Sequence, residues 1–288
     1  MAAITAFIGA GLQALLGDFP LRALLWDQSW FTWWAQLLGF TWSEWVTSLS
    51  VDQTIDWLGK LFGGLLLVGG LILVFRTKKY RLAIRMLLIG SVLVLLLRNF
   101  LIWKEHFWQI GQLLEMFILT GAPIIYLTRT AWSAGSKDLF PIVLRLLIAC
   151  TFIGHGLYAV GFHPVPANFV FMTQSGLGVG EDLARQLLKV VGILDFVAAA
   201  LLVLPSRRAW LTALVWIIPW AVLTTFARVW SYGGYVGAHT LISQWIPEVV
   251  VRLPHILLPL ALFFLARTQD VDTVGGKDKA NAISTACD

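Results

Sequence analysis

Charge and cysteine are what this sequence has least of. Of its 288 residues only 13% are Asp, Glu, Lys or Arg, about half the share found in soluble domains. There are two cysteines. Cys150 falls in an apolar segment and Cys287 in a polar tail, so no internal disulfide is expected, and no Cys-x-x-Cys spacing offers a thiolate metal site. No HExxH or GxSxG sequence occurs. The stretch SGLGVGED at 175–182 has the glycines of a phosphate loop but lacks its Lys-Ser/Thr ending. These absences exclude a disulfide scaffold and the common soluble-enzyme signatures. The net charge of +5 does not point to nucleic acid, because in a strongly apolar chain Lys and Arg mark the cytoplasmic side of a membrane.

What is present is apolar surface. Hydrophobic residues make up 58% of the chain, with apolar segments at about 1–17, 53–75, 82–103, 107–128, 140–161, 184–205, 209–229 and 246–266. A backbone in lipid must satisfy its own hydrogen bonds, so these segments are expected to be helices. The fold class is all-α: a polytopic protein of the lipid bilayer with seven or eight transmembrane helices. The first segment sits at the short limit of about 17 residues for a span. It lacks the basic start of a signal peptide and is expected to be retained.

Orientation follows from the short loops. Arg76, Lys78, Lys79 and Arg81 crowd one loop, Arg129 and Lys137 another, Arg207 and Arg208 a third, and Arg267 follows the last span. Alternating the sides puts all four clusters on one face, the cytoplasm by the positive-inside rule, with the C-terminus there too. The other face carries two long connections, 18–51 and 162–182. The stretch WDQSWFTWWAQLLGFTWSEW holds six of the fifteen tryptophans and reads as an in-plane element at the membrane interface. Residues 269–288 read as a disordered cytoplasmic tail.

The chain also repeats itself. Residues 7–12 and 152–157 both spell Phe-Ile-Gly-x-Gly-Leu, with Ala10 in the first where His155 stands in the second. Aligning Lys60 with Lys189 places Gly63 on Gly192 and Lys78 and Lys79 on Arg207 and Arg208. We therefore expect two tandem four-helix bundles of parallel orientation, 1–130 and 139–268.

Ionisable side chains inside spans are costly and usually face a protein interior or a cavity. The second unit holds Arg145, His155, Lys189, Asp195, Arg228, Glu248, Arg252 and His255. The first has Arg85, Arg98 and Glu115, with Leu66 in the place of Asp195. His155 and His255 should lie at matching depth, roughly 10 Å below the outer surface, with Asp195 near mid-membrane. Facing imidazoles can ligate a metal or haem iron, or exchange protons with a quinone. Asp195 is too short to snorkel, and His155, Arg145 or Lys189 is its expected partner. Arg145 can reach the inner interface by snorkelling. The plainer alternative is that these groups hold helices together. The contrast between halves suggests that the second carries any chemistry and the first supports it.

RLLIACTFIGHGLYAVG (145–161) and VVGILDFVAAALLVLPSRRAW (190–210) resemble the opening helix, the second span and the basic turn of DoxX-like membrane proteins. The resemblance covers roughly the second half. It implies a four-helix bundle in a bacterial cytoplasmic membrane with a possible link to quinone or sulfur redox chemistry. It assigns no catalytic residues, and the first unit with its Trp-rich element departs from the usual short form. The expected function is a subunit of a membrane redox complex. It would have a periplasm-facing cavity for a quinone or small ligand, lined by His155, Asp195, Arg228 and His255, and would work with a membrane or periplasmic redox protein. Two alternatives stand beside it. One is a small-solute or ion transporter in which Asp195 and Glu115 bind protons or cations. The other is a structural subunit that docks through its Trp-rich surface.

Overall fold

The computed structural model describes residues 1–75, 81–128 and 139–267. Among these there is no strand. Seven helical stretches are long and apolar enough to cross a membrane: Leu49–Phe75, Leu82–Glu105, Ile110–Thr128, Leu139–Ala159, Glu181–Val203, Arg207–Gly233 and Ala238–Arg267. The expected basic loops around residues 76–80 and 129–138, and the tail after residue 267, lie outside the described residues.

In chain order, α1 (Ala2–Leu16) leads into three short helices, α2 (Arg22–Leu25), α3 (Gln28–Leu37) and α4 (Trp42–Thr47). The long spans α5 (Leu49–Phe75) and α6 (Arg81–Glu105) follow. The fourth span of the first half is broken into α7 (Ile110–Glu115) and α8 (Phe117–Thr128). The second half comprises α9 (Leu139–Ala159), the short α10 (Ala167–Leu177), α11 (Glu181–Val203) and α12 (Arg207–Gly233). Its last span begins with α13 (Ala238–Thr240), makes a π-turn over Leu241–Trp245, and continues as α14 (Ile246–Arg252) and a helix over 254–267.

At fifteen residues, α1 is shorter than the seven spans, yet it is deeply enclosed: Ala6, Phe7 and Ala10 are at most 1% exposed. Its glycines explain how. A methyl on Gly11 would meet the Gly63 carbonyl at 2.9 Å, and one on Gly63 would meet Ala14 Cβ at 2.9 Å. In the second half, a methyl on Gly156 would meet the Gly192 carbonyl at 3.0 Å, and one on Gly192 would meet Ala159 Cβ at 2.9 Å. The positions that align in sequence therefore make the same close helix crossing, α1 on α5 and α9 on α11. Small residues are what allow backbones in lipid to approach this far.

The remaining glycine of each motif links the halves. Gly9 lies against the backbone of Val251 on α14, where an added methyl would come within 2.3 Å of its nitrogen. Gly154 lies against α7, where a methyl would reach Gly111 O at 2.6 Å and Glu115 N at 2.7 Å. The first helix of each half thus crosses the fourth span of the other. Val251 joins the apolar core built mainly by the first half, while Ile118, Ala122 and Ile125 of α8 join that of the second. The expected boundary near residue 130 is not a boundary in the packing.

Both fourth spans break beside these crossings, and the freed backbone groups find partners. At the α7–α8 break, Ile118 N–H donates to Thr151 Oγ1 (3.1 Å), whose hydroxyl donates to Leu114 O (3.4 Å). At Leu253, Pro254 lacks an amide hydrogen, and His255 Nδ1 takes up the Arg252 carbonyl at 3.1 Å. A broken helix is tolerated in lipid only when neighbouring groups replace the lost bonds in this way.

The Trp-rich segment folds as α2–α4 at the end of the bundle where α5 begins and α6 finishes. Asp27 caps α3 by accepting from Ser29 N at 3.0 Å, and Thr41 with Glu44 forms a reciprocal cap on α4. Trp45 is buried and donates to Leu25 O at 2.8 Å, whereas Trp33 and Trp34 are 62% and 49% exposed. Asp27 is tied to Lys104 at the end of α6, and Arg22 pairs with Asp18, Asp52 and Asp56.

Two outcomes test this packing. Gly9→Ala should destabilise the protein by about 1–3 kcal/mol, as overpacking does, while Gly64→Ala, which opens onto free space, should be neutral in thermal unfolding. The Lys104 ammonium holds the Asp27 carboxyl down from its ordinary 3.8 to about 2. A depressed acid stabilises the fold above its ordinary value and loses that contribution as pH falls towards the folded one. The melting-temperature deficit of Asp27→Asn at pH 7 should therefore shrink as pH falls from 3.8 to about 2.

Candidate functional site

Four charged groups of the spans, Arg98, Arg228, Glu248 and Arg252, converge where the two halves cross. The centre is Glu248 on α14. Its Oε2 lies 3.4 Å from Arg228 Nε of α12 and 3.6 Å from Arg252 Nε one turn along its own helix. Its Oε1 accepts from Gln13 Nε2 of α1 at 2.6 Å, and Gln13 Oε1 accepts from Arg98 of α6 at 2.7 Å. Arg228 is only 2% exposed and also donates to Thr224 O at 2.7 Å. The third spans of both halves thus send an arginine towards one carboxylate, directly in one case and through an amide in the other.

A second group lies beside it. Glu115, the last residue of α7, has Oε1 at 3.6 Å from His155 Nε2 on α9. Both atoms are buried and neither makes a hydrogen bond. His155 is stacked with His255, with ring centroids 5.7 Å apart and planes at 23°. The two imidazoles expected at matching depth do meet. Nearby, Tyr158 of α9 donates to Gln109 Oε1 at 2.8 Å.

Two cavities flank these residues. One, of about 230 Å³, is largely apolar, with His155, Asp195, Arg228 and Arg252 as its ionisable groups and Thr173 and Thr224 as its hydroxyls; Trp220, Phe169, Met172 and Val191 supply much of the rest. The other, of about 370 Å³, is the more polar of the two and is bordered by Gln13, Arg98, Glu115, Tyr158, Glu248, Arg252 and His255 along with apolar residues such as Leu119 and Val251. His106, Pro166 and Asn168, from connections at the Trp-rich end, also border the second cavity, which places it towards that end.

Several expectations need correcting. The partner of Asp195 is none of those anticipated: Trp216 Nε1 of α12 donates to its Oδ1 at 2.9 Å. Lys189 is exposed, away from the cluster. Arg145 is buried, donates to Leu202 O (3.3 Å) and Leu204 O (3.1 Å) at the end of α11, and stacks over Trp210 at 3.9 Å. The first half is no bland scaffold, since it supplies Gln13, Arg98 and Glu115. Ala10, the counterpart of His155, is fully enclosed, which leaves no room for a polar side chain there. Gln13 carried a visible signal, a lone amide in an apolar segment. Trp216 carried none, because tryptophan is common throughout the chain.

No three His, Cys, Asp or Glu converge on a metal position among the described residues. The histidine pair does not fit bis-imidazole ligation of a haem. The rings are stacked, with His255 Nδ1 turned to Arg252 O and His155 Nε2 turned to Glu115. The lining of the apolar cavity has the chemistry a quinone would need. A quinone's flat ring matches the aromatic and aliphatic walls, and its carbonyl oxygens match the donors of His155 and the arginines. Comparison with protein-family models, with curated proteins and with solved structures yields no match.

The central carboxylate gives a stability test. Glu248→Ala leaves Arg228 and Arg252 without their acid and should cost about 3 kcal/mol, the scale for breaking an enclosed pair. Removing Glu181 from its exposed pair with Arg185 should leave thermal unfolding in detergent unchanged.

Proposed function

We propose that the protein is an integral subunit of a membrane redox system that holds a quinone-type ligand among the helices of its second half. The observation that carries this is the cavity of about 230 Å³ whose ionisable side chains, His155, Asp195, Arg228 and Arg252, stand in a largely apolar wall. Amphipathic ligands are bound by such pockets: apolar area supplies affinity, and a few placed polar groups fix orientation. When bound, a quinone supplies reversible electron and proton uptake at its carbonyl oxygens. The DoxX-like resemblance of residues 145–161 and 190–210 supports the same reading. Arg207, Arg208 and Arg267 support a cytoplasmic placement of their end, in a bacterial inner membrane. The cavities then face the periplasm, and the exposed Trp33 and Trp34 mark the side where a redox partner is met.

A transporter is the second reading, and one observation favours it. Both fourth spans are broken beside the charged cluster, and groups from both halves line the polar cavity. Broken helices at a repeat interface are where transporters bind their cargo.

Gentle purification from native membranes, followed by solvent extraction and mass spectrometry, separates the two. A quinone retained in stoichiometric amount supports the redox subunit. Val191→Phe, which fills the apolar cavity, should then weaken retention about tenfold, the equivalent of roughly 1.4 kcal/mol. A preparation free of quinone that supports solute flux in liposomes overturns it in favour of transport.

A further inference from the structure

We propose that Glu115 and His155 form a proton-transfer couple that connects the polar cavity to the apolar one. The proposal rests on the reading that the apolar cavity holds a ligand with a proton-accepting oxygen. Its basis is placement. Glu115 borders the polar cavity and His155 borders the apolar one, and their facing atoms are 3.6 Å apart. Neither atom is engaged by anything else in the protein. The approach is fixed by the backbone: Gly154, the residue before His155, lets α9 lie directly on α7 at Glu115.

The surroundings leave this pair as the bridge. The groups facing His155 are Glu115 from α7, Arg228 from α12, and Arg252 and His255 from the last span, with Asp195 of α11 across the cavity. A guanidinium keeps its proton at any physiological pH, so the arginines set the field but carry nothing. Asp195 is enclosed, accepts from Trp216, and does not border the polar cavity. His255 borders the polar cavity, not the apolar one, and its Nδ1 is committed to Arg252 O. Glu115 and His155 border different cavities, and their uncommitted polar atoms are directed at each other.

The step is a proton transfer with no change in oxidation state. The O–H bond of the Glu115 carboxyl breaks as an N–H bond forms at His155 Nε2. His155 releases the proton of its other ring nitrogen to an oxygen of the ligand, and water in the polar cavity returns a proton to Glu115. The reverse sequence discharges a proton from the ligand. A gap of 3.6 Å closes to hydrogen-bond length by a small side-chain rotation, and such contacts tighten when a ligand is bound.

Infrared titration of the full chain in nanodiscs tests the couple without a ligand. The carbonyl band of protonated Glu115 is assigned by its loss in Glu115→Gln. In His155→Gln the midpoint of that band should move by about one pH unit or more, the threshold for coupled sites. Glu181→Gln, in the exposed pair with Arg185, should leave the midpoint where it is. A Glu115 midpoint that ignores His155→Gln overturns the couple; should Glu115→Gln fail to fold, isotope-edited glutamate bands in the folded His155→Gln protein report the same midpoint. Binding of decylubiquinone, measured separately on the unmutated chain, keeps the two readings apart. Coupled titration without decylubiquinone binding overturns the quinone assignment and supports the couple. Decylubiquinone binding without coupled titration does the reverse.

Discussion

A guanidinium enclosed between helices in lipid must have an acceptor, and Arg228 has its carboxylate on a different span. That requirement organises the centre of the molecule. Glu248 answers Arg228 and Arg252 directly, and it answers Arg98 through the amide of Gln13. Leaving the buried Arg228 without its acid costs about 3 kcal/mol. The network therefore ties α1 and α6 of the first half to α12 and α14 of the second. The apolar packing brings the same elements together, but van der Waals contact alone is indifferent to small sliding. The charged network has one register.

The glycines make that register reachable. Each Phe-Ile-Gly-x-Gly-Leu motif uses its second glycine to cross a helix of its own half and its first glycine to cross the fourth span of the other. Where those fourth spans are touched they are also broken. Thr151 and His255 then serve as substitutes in the backbone ladder. Two roles meet in His255, which repairs a helix with Nδ1 and stacks its ring on His155. The site is thus assembled from positions that the fold already needs, and the cavities are the space left where broken helices and long polar side chains cannot close on one another.

Much of the fold was legible because it depends on local chemistry. Apolar runs of sufficient length mark the spans, and aligned glycines mark the shared crossings. The last span begins eight residues before its apolar run, at Ala238, because a π-turn carries polar residues such as Gln244 into the helix. Partners were not legible. A helix that is apolar on most sides gives little sign of which face meets which neighbour, so Glu115 was assigned to a quiet half although it faces His155. Asp195 was matched with charged candidates, yet an indole N–H satisfies it. The rule that a short acid in a span needs a partner was right, and the donor it found was neutral.

The exchange between halves has a consequence for biosynthesis. Ribosomes deliver α1 well before the backbone it must lie against, at Val251 on α14. Until then Gly9 and Gln13 face either lipid or provisional neighbours inside the insertion machinery. The first half emerges as an unfinished object, held open while α9, α11 and α12 are made, and it closes only once α14 has followed. A chain released early would expose its most tightly fitted surface to the membrane, where quality-control proteases could recognise it.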